Sequence, residues 1–75
     1  MTDTEKLNKA IKNSGLKISF LADKLGLSSQ GFYNKINGKT EFYSSEILIL
    51  TDILGLTFRE REEVFFAAIV DKKET

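Results

Sequence analysis

Gln30 and Asn34 stand four residues apart, so on a helix they share one face a single turn from each other. Each ends in a carboxamide, which donates and accepts hydrogen bonds together. That paired pattern suits the N6 and N7 edge of adenine as a duplex presents it in its major groove. Ser29 and Tyr33 repeat the spacing alongside and add two hydroxyls, fit for a base, a phosphate or contact with a thymine methyl. The plainer reading is that all four are solvated polar residues. The element that carries them decides between the two.

That element lies in Leu16 to Lys39, LKISFLADKLGLSSQGFYNKINGK. Ile18 to Leu25 has apolar residues at helical spacing, Leu21 and Leu25 with Ala22 beside them, and Gly26 ends it in a left-handed conformation. Only Gly26 and Leu27 then precede Ser28, an N-cap for a second helix. Two helices joined that tightly form a helix-turn-helix, about residues 17–37, in which one side of the second helix stays open to a groove. With Phe32 and Ile36 inward, Ser29, Gln30, Tyr33 and Asn34 face out. Ala22 is small where the two helices approach, and Asn37-Gly38 stops the second one.

Around this unit the pattern predicts three more helices and no strand. The first runs from Thr4 to Asn13, with Thr2 and Glu5 at capping-box spacing and Gly15 as its stop. A fourth starts at Ser44 or Ser45, carries Ile47, Leu48, Leu50, Ile53 and Leu54, and ends at Gly55. A fifth is opened by Thr57 with Glu60 and runs to about Val70, so the C-terminal helix covers about 58–70. Seventy-five residues make one small domain, residues 1–75.

Net charge is zero, but the charges are segregated. From Lys6 to Lys39 seven lysines face one acid, Asp23, a balance of +6; from Thr40 onward four basic residues face eight acids, a balance of −4. The basic half is the half with the helix pair, so a positive face for phosphates is expected there. Lys17, Ser28, Lys35, Gly38 and Lys39 are the candidate phosphate contacts: Lys17 before the helix pair, Ser28 as cap, the other three where the second helix ends. The alternative for each lysine is simple solvation.

The chain has neither Cys nor His. Disulfides, the usual zinc sites and nucleophile–His catalytic sets are therefore excluded, and no catalytic residue, metal, cofactor or small-molecule substrate is expected. No apolar run, Ile47 to Leu50 and Val64 to Val70 included, is long enough for a membrane span, and MTDTEKLNKA lacks the plan of a signal peptide. A reduced, cytoplasmic setting follows as the expectation.

Leu21-Ala22, Gly26, Ser28, Phe32 and Asn37-Gly38-Lys39, at this spacing, resemble the lambda-repressor-like helix-turn-helix domains of the Cro/CI (XRE) family, in particular the short regulators of phages and other mobile elements. EFYSSEILILTDILGL resembles that family's fourth helix, so the likeness covers about Leu7 to Leu56. It implies an all-α, compact five-helix domain with a central helix-turn-helix, bacterial or phage-encoded, acting on transcription as a DNA-binding repressor. It also implies that the residues just after the cap, and those one turn on, set sequence preference. Three positions depart from the family pattern: Ile18, where Gln is common; Gly31, inside the second helix; and Lys35, where an aliphatic residue is common.

Val64 to Val70 is apolar nearly all round a helix, more than one buried stripe needs. Ile49, Phe65, Phe66, Ile69 and Val70 are the candidate protein interface. A homodimer on double-stranded DNA is the simplest use of such a surface. The competing reading is an interaction protein that binds another repressor and alters its DNA binding.

Overall fold

The structure is a computed structural model and describes residues 1–67. Five helices follow one another, with no strand among the described residues: α1 Thr4–Ser14, α2 Ile18–Lys24, α3 Ser29–Ile36, α4 Ser44–Ile53 and α5 Phe58–Phe65. None is long and apolar enough to cross a membrane.

The boundaries follow from caps. Ser28 accepts the Gly31 N–H at 3.0 Å and starts α3. Thr57 and Glu60 cap each other's backbone at the start of α5. Gly15 and Gly26 adopt the positive φ that stops α1 and releases the chain after α2. One predicted cap is displaced. At α1 the N-cap is Asp3, not Thr2: its carboxylate accepts the Lys6 N–H at 3.0 Å, and a charged acceptor suits the positive end of a helix. The α4 helix starts at Ser44, as predicted, with Tyr43 as N-cap; the Tyr43 N–H donates back to Glu46 Oε1 at 2.8 Å.

The end of α5 also differs. Phe66 leaves the helical region (φ −128°, ψ 39°), so α5 stops at Phe65 instead of running to Val70. The N-terminal residues take its place: the Asp3 N–H donates to the Val64 carbonyl at 2.6 Å, and the Ala67 N–H donates to the Met1 carbonyl at 3.1 Å. Of the predicted interface, Ile69 and Val70 lie outside the described residues.

The core is built from Leu7, Ile11, Leu21, Ala22, Phe32, Ile36, Phe42, Leu50, Val64 and Phe65. Its centre is a chain of three rings. Phe42 meets Phe32 edge-on at 6.3 Å and Phe65 edge-on at 5.5 Å, the arrangement ring quadrupoles favour. Phe42 comes from the α3–α4 connection, so this loop fastens α3 to α5. Phe65 is thus a core residue, corrected from its assignment to a surface interface: the five-helix packing needs its ring to close the stack. Of the apolar residues of the fourth helix, Ile47, Leu50, Ile53 and Leu54 turn to the core, while Leu48 is 60% exposed.

Candidate nucleic-acid interface

The turn Leu25–Ser28 joins α2 to α3, and the two helices pack on each other. Leu21 and Ala22 from α2 meet Phe32 and Ile36 from α3 in the core. Burying Phe32 and Ile36 sets the rotation of α3, because at about 100° per residue the arc opposite them belongs to Gln30 and Asn34. Ser29, Gln30 and Tyr33 are exposed, and Asn34 is half-buried. The four predicted readers therefore share an outward surface.

Gln30 and Asn34 are also joined. Gln30 Nε2 donates to Asn34 Oδ1 at 3.1 Å. In this arrangement the Gln30 carbonyl oxygen and its second N–H remain free, as does the Asn34 amide nitrogen. A carboxamide held by its neighbour has less rotamer freedom to lose on meeting a partner. The backbone carbonyl of Asn34 accepts the N–H groups of Lys39 and Thr40, at 2.8 and 3.3 Å, so the loop after α3 folds back along the helix.

The phosphate candidates divide. Lys17 and Lys39 are exposed at the head of α2 and just past α3. The Ser28 oxygen is occupied as an acceptor, while its hydroxyl hydrogen remains a donor. Gly38 is corrected: its N–H already donates to the Lys35 carbonyl at 3.2 Å, closing the last turn of α3. Lys35 is corrected outright. Its side chain lies inward, 7% exposed, with Nζ 2.6 Å from Glu46 Oε1. The position is on the Phe32–Ile36 side of the helix, and the ammonium is neutralised there by a carboxylate from α4. Sequence reasoning missed Glu46. Its signal was present: it is the lone charge in the otherwise apolar and hydroxylic run Phe42 to Thr51.

The positive face is also smaller than the sequence balance suggests. Lys6 and Lys9 line an open cleft of about 490 Å³ between α1 and α5, together with Glu60 and Glu63. They answer the acidic helix and do not extend the α3 surface. Lys24 lies 5.4 Å from the ring centre of the exposed Phe20 on α2.

A second surface lies on α4. Ser44, Ser45, Leu48, Ile49 and Asp52 are its exposed residues, and Asp52, one turn beyond Leu48, is the one charge among them. Beside them Ile47, Leu48, Arg61 and Phe66 line a groove of about 360 Å³ between α4 and α5. Of the predicted interface residues, Ile49 is exposed and Phe66 half-buried at this groove. Tyr43 and Phe58, each 70% exposed, were not foreseen as surface aromatics, since their faces depend on helix starts that only caps define. Compared with protein-family models, curated proteins and solved structures, the chain finds no match.

Proposed function

We propose that this protein is a sequence-specific double-stranded DNA-binding regulator of transcription, a Cro-like repressor with a lambda-repressor-like helix-turn-helix formed by α2 and α3. In this reading α3 enters the major groove and Gln30 reads adenine N6 and N7, with Asn34 holding its amide and Ser29 and Tyr33 touching neighbouring positions. Lys17, Ser28 and Lys39 hold phosphates and set the register. The observation that carries the reading is the hydrogen-bonded Gln30–Asn34 pair on the arc of α3 opposite Phe32 and Ile36. Two copies paired through the Leu48–Ile49 face of α4, with Phe66, would present two such helices about 34 Å apart to a pseudo-palindromic operator.

The test is selection of a preferred duplex from random DNA, followed by affinity at several salt concentrations. Wild type is expected to prefer one sequence. With Lys17 and Lys39 from each of two copies, log K should fall with log salt at a slope of about −4. Gln30→Ala/Asn34→Ala should lose roughly 1–3 kcal/mol of discrimination per base pair read and keep the salt slope. Selective binding untouched by that double substitution would refute the assignment of the readers.

A second reading has its own support. Leu48 and Ile49 leave apolar area on α4, and few lysines stand free around α3. In that reading the protein binds another repressor and modulates its DNA binding. Absence of any salt-dependent DNA binding, with a concentration-dependent complex with a repressor, would favour it.

A further inference from the structure

Lys35 lies in the last turn of α3, next to Asn34 and five residues beyond Gln30. Its ammonium crosses from α3 to the first turn of α4 and meets Glu46 Oε1 at 2.6 Å, with both side chains less than a tenth exposed. The same oxygen accepts the Tyr43 N–H at 2.8 Å. The Tyr43 ring covers the ammonium, 3.9 Å from centroid to Nζ, and turns its other face to solvent. Three residues thus close around one charge. No buried side-chain nitrogen or oxygen among the described residues is left without a hydrogen-bond partner.

An ion pair buried in this way is a weak source of stability, because desolvation of both charges offsets most of their attraction. It is a strong source of geometry, because any arrangement that separates the charges leaves one buried and alone. Apolar contacts lack that directionality. Phe32 and Ile36 set which side of α3 faces the core, and being apolar they oppose a small roll about that orientation only weakly. The Lys35–Glu46 bond, off to one side of those contacts, opposes the roll. The α3 helix otherwise packs on α1 and α2, while α4 packs on α5. The pair therefore joins the helix that carries Gln30 and Asn34 to the layer that carries Leu48 and Ile49.

We infer that Lys35, held by Glu46 and covered by Tyr43, is a positioning residue for base reading: it sets the direction in which Gln30 and Asn34 point and does not touch DNA. This rests on the DNA-binding reading above. A base-edge hydrogen bond tolerates only about 0.5 Å in distance, so a small roll of α3 is enough to spoil it.

The variant to use is Lys35→Met/Glu46→Leu, which removes both charges and leaves neither orphaned; it also takes the acceptor from the Tyr43 N–H, so urea unfolding is measured alongside to check that the fold is retained. Lys17→Ala serves as a phosphate-contact control. On the selected duplex and its single-base variants, Lys35→Met/Glu46→Leu should lose roughly tenfold in discrimination with the salt slope unchanged. Lys17→Ala should lower the slope magnitude by about 0.9 per protomer and keep discrimination. A lowered slope in Lys35→Met/Glu46→Leu, or full discrimination, overturns the inference. Amide hydrogen exchange supplies a readout free of DNA. Faster exchange across Gln30–Ile36, beyond that of the Tyr43 amide whose acceptor the variant removes, supports the positioning role, and protection unchanged across α3 overturns it. If wild type binds no DNA, the functional reading fails by itself, and exchange still decides whether Lys35 holds α3.

Discussion

Gly31 sits directly beneath the cap of its own helix. A Cβ added there would lie 3.2 Å from the Ser28 Oγ that accepts the Gly31 N–H. Its backbone is ordinary helix, so the glycine costs roughly 1 kcal/mol of propensity against alanine. The exposed Ser28 hydroxyl can yield by a few tenths of an ångström without losing its bond. Gly31→Ala is therefore expected to stabilise the domain by about 0.5 kcal/mol in urea unfolding. A loss of 1 kcal/mol or more would show that the cap cannot give way. If α3 docks in a groove through its first turn, the same substitution should weaken DNA binding while it raises stability. The outward set Ser29, Gln30, Tyr33 and Asn34 was legible at this scale because Phe32 and Ile36 announce their side of the helix by spacing alone. The fate of Lys35 was not. A lysine's charge says "surface" by default, and only a carboxylate eleven positions away, delivered by tertiary packing, reverses it.

At the scale of elements, what could be read in advance is what neighbours in the chain decide. Gly15, Gly26, Ser28 and the Thr57–Glu60 pair act within one turn of themselves, and α1, α2 and α3 begin and end within a residue or two of expectation. Gly26 is the sharpest case. It holds φ of 71°, and a Cβ there would meet nothing within 4 Å. The cost of Gly26→Ala is then backbone strain alone, about 1–2 kcal/mol, and Gly26→Asn should recover part of it. Equal losses for alanine and asparagine would mean that the turn is held by something other than its dihedral angles. The burial of Glu46, the end of α5 and the inward course of Phe42 were hidden for one reason. Each is decided by a residue distant in the chain: Glu46 gripped by Lys35, the Val64 carbonyl met by Asp3, and Phe42 seated between Phe32 and Phe65.

Over the whole molecule the two charge domains of the sequence do not become two charged faces. Lys6 and Lys9 share a cleft with Glu60 and Glu63, Lys35 is buried, and the α4 surface of Leu48 and Ile49 carries Asp52 as its one exposed charge. That surface is where pairing of two copies is expected, and Leu48 lies at its centre with no part in the core. Leu48→Glu should leave the unfolding free energy of the monomer within about 0.5 kcal/mol of wild type. In sedimentation it should abolish the concentration-dependent dimer; a dimer that survives this charge must use another surface. Phe66 lines the adjoining groove, and the measurement is best made on the full chain. The union of Met1 and Asp3 with the last turn of α5 carries a different consequence. The first helix of the domain has a packing partner in its fifth. Leu7 completes its burial only when Val64 and Phe65 have followed it out of the ribosome, so this domain closes after all five of its helices have been synthesised.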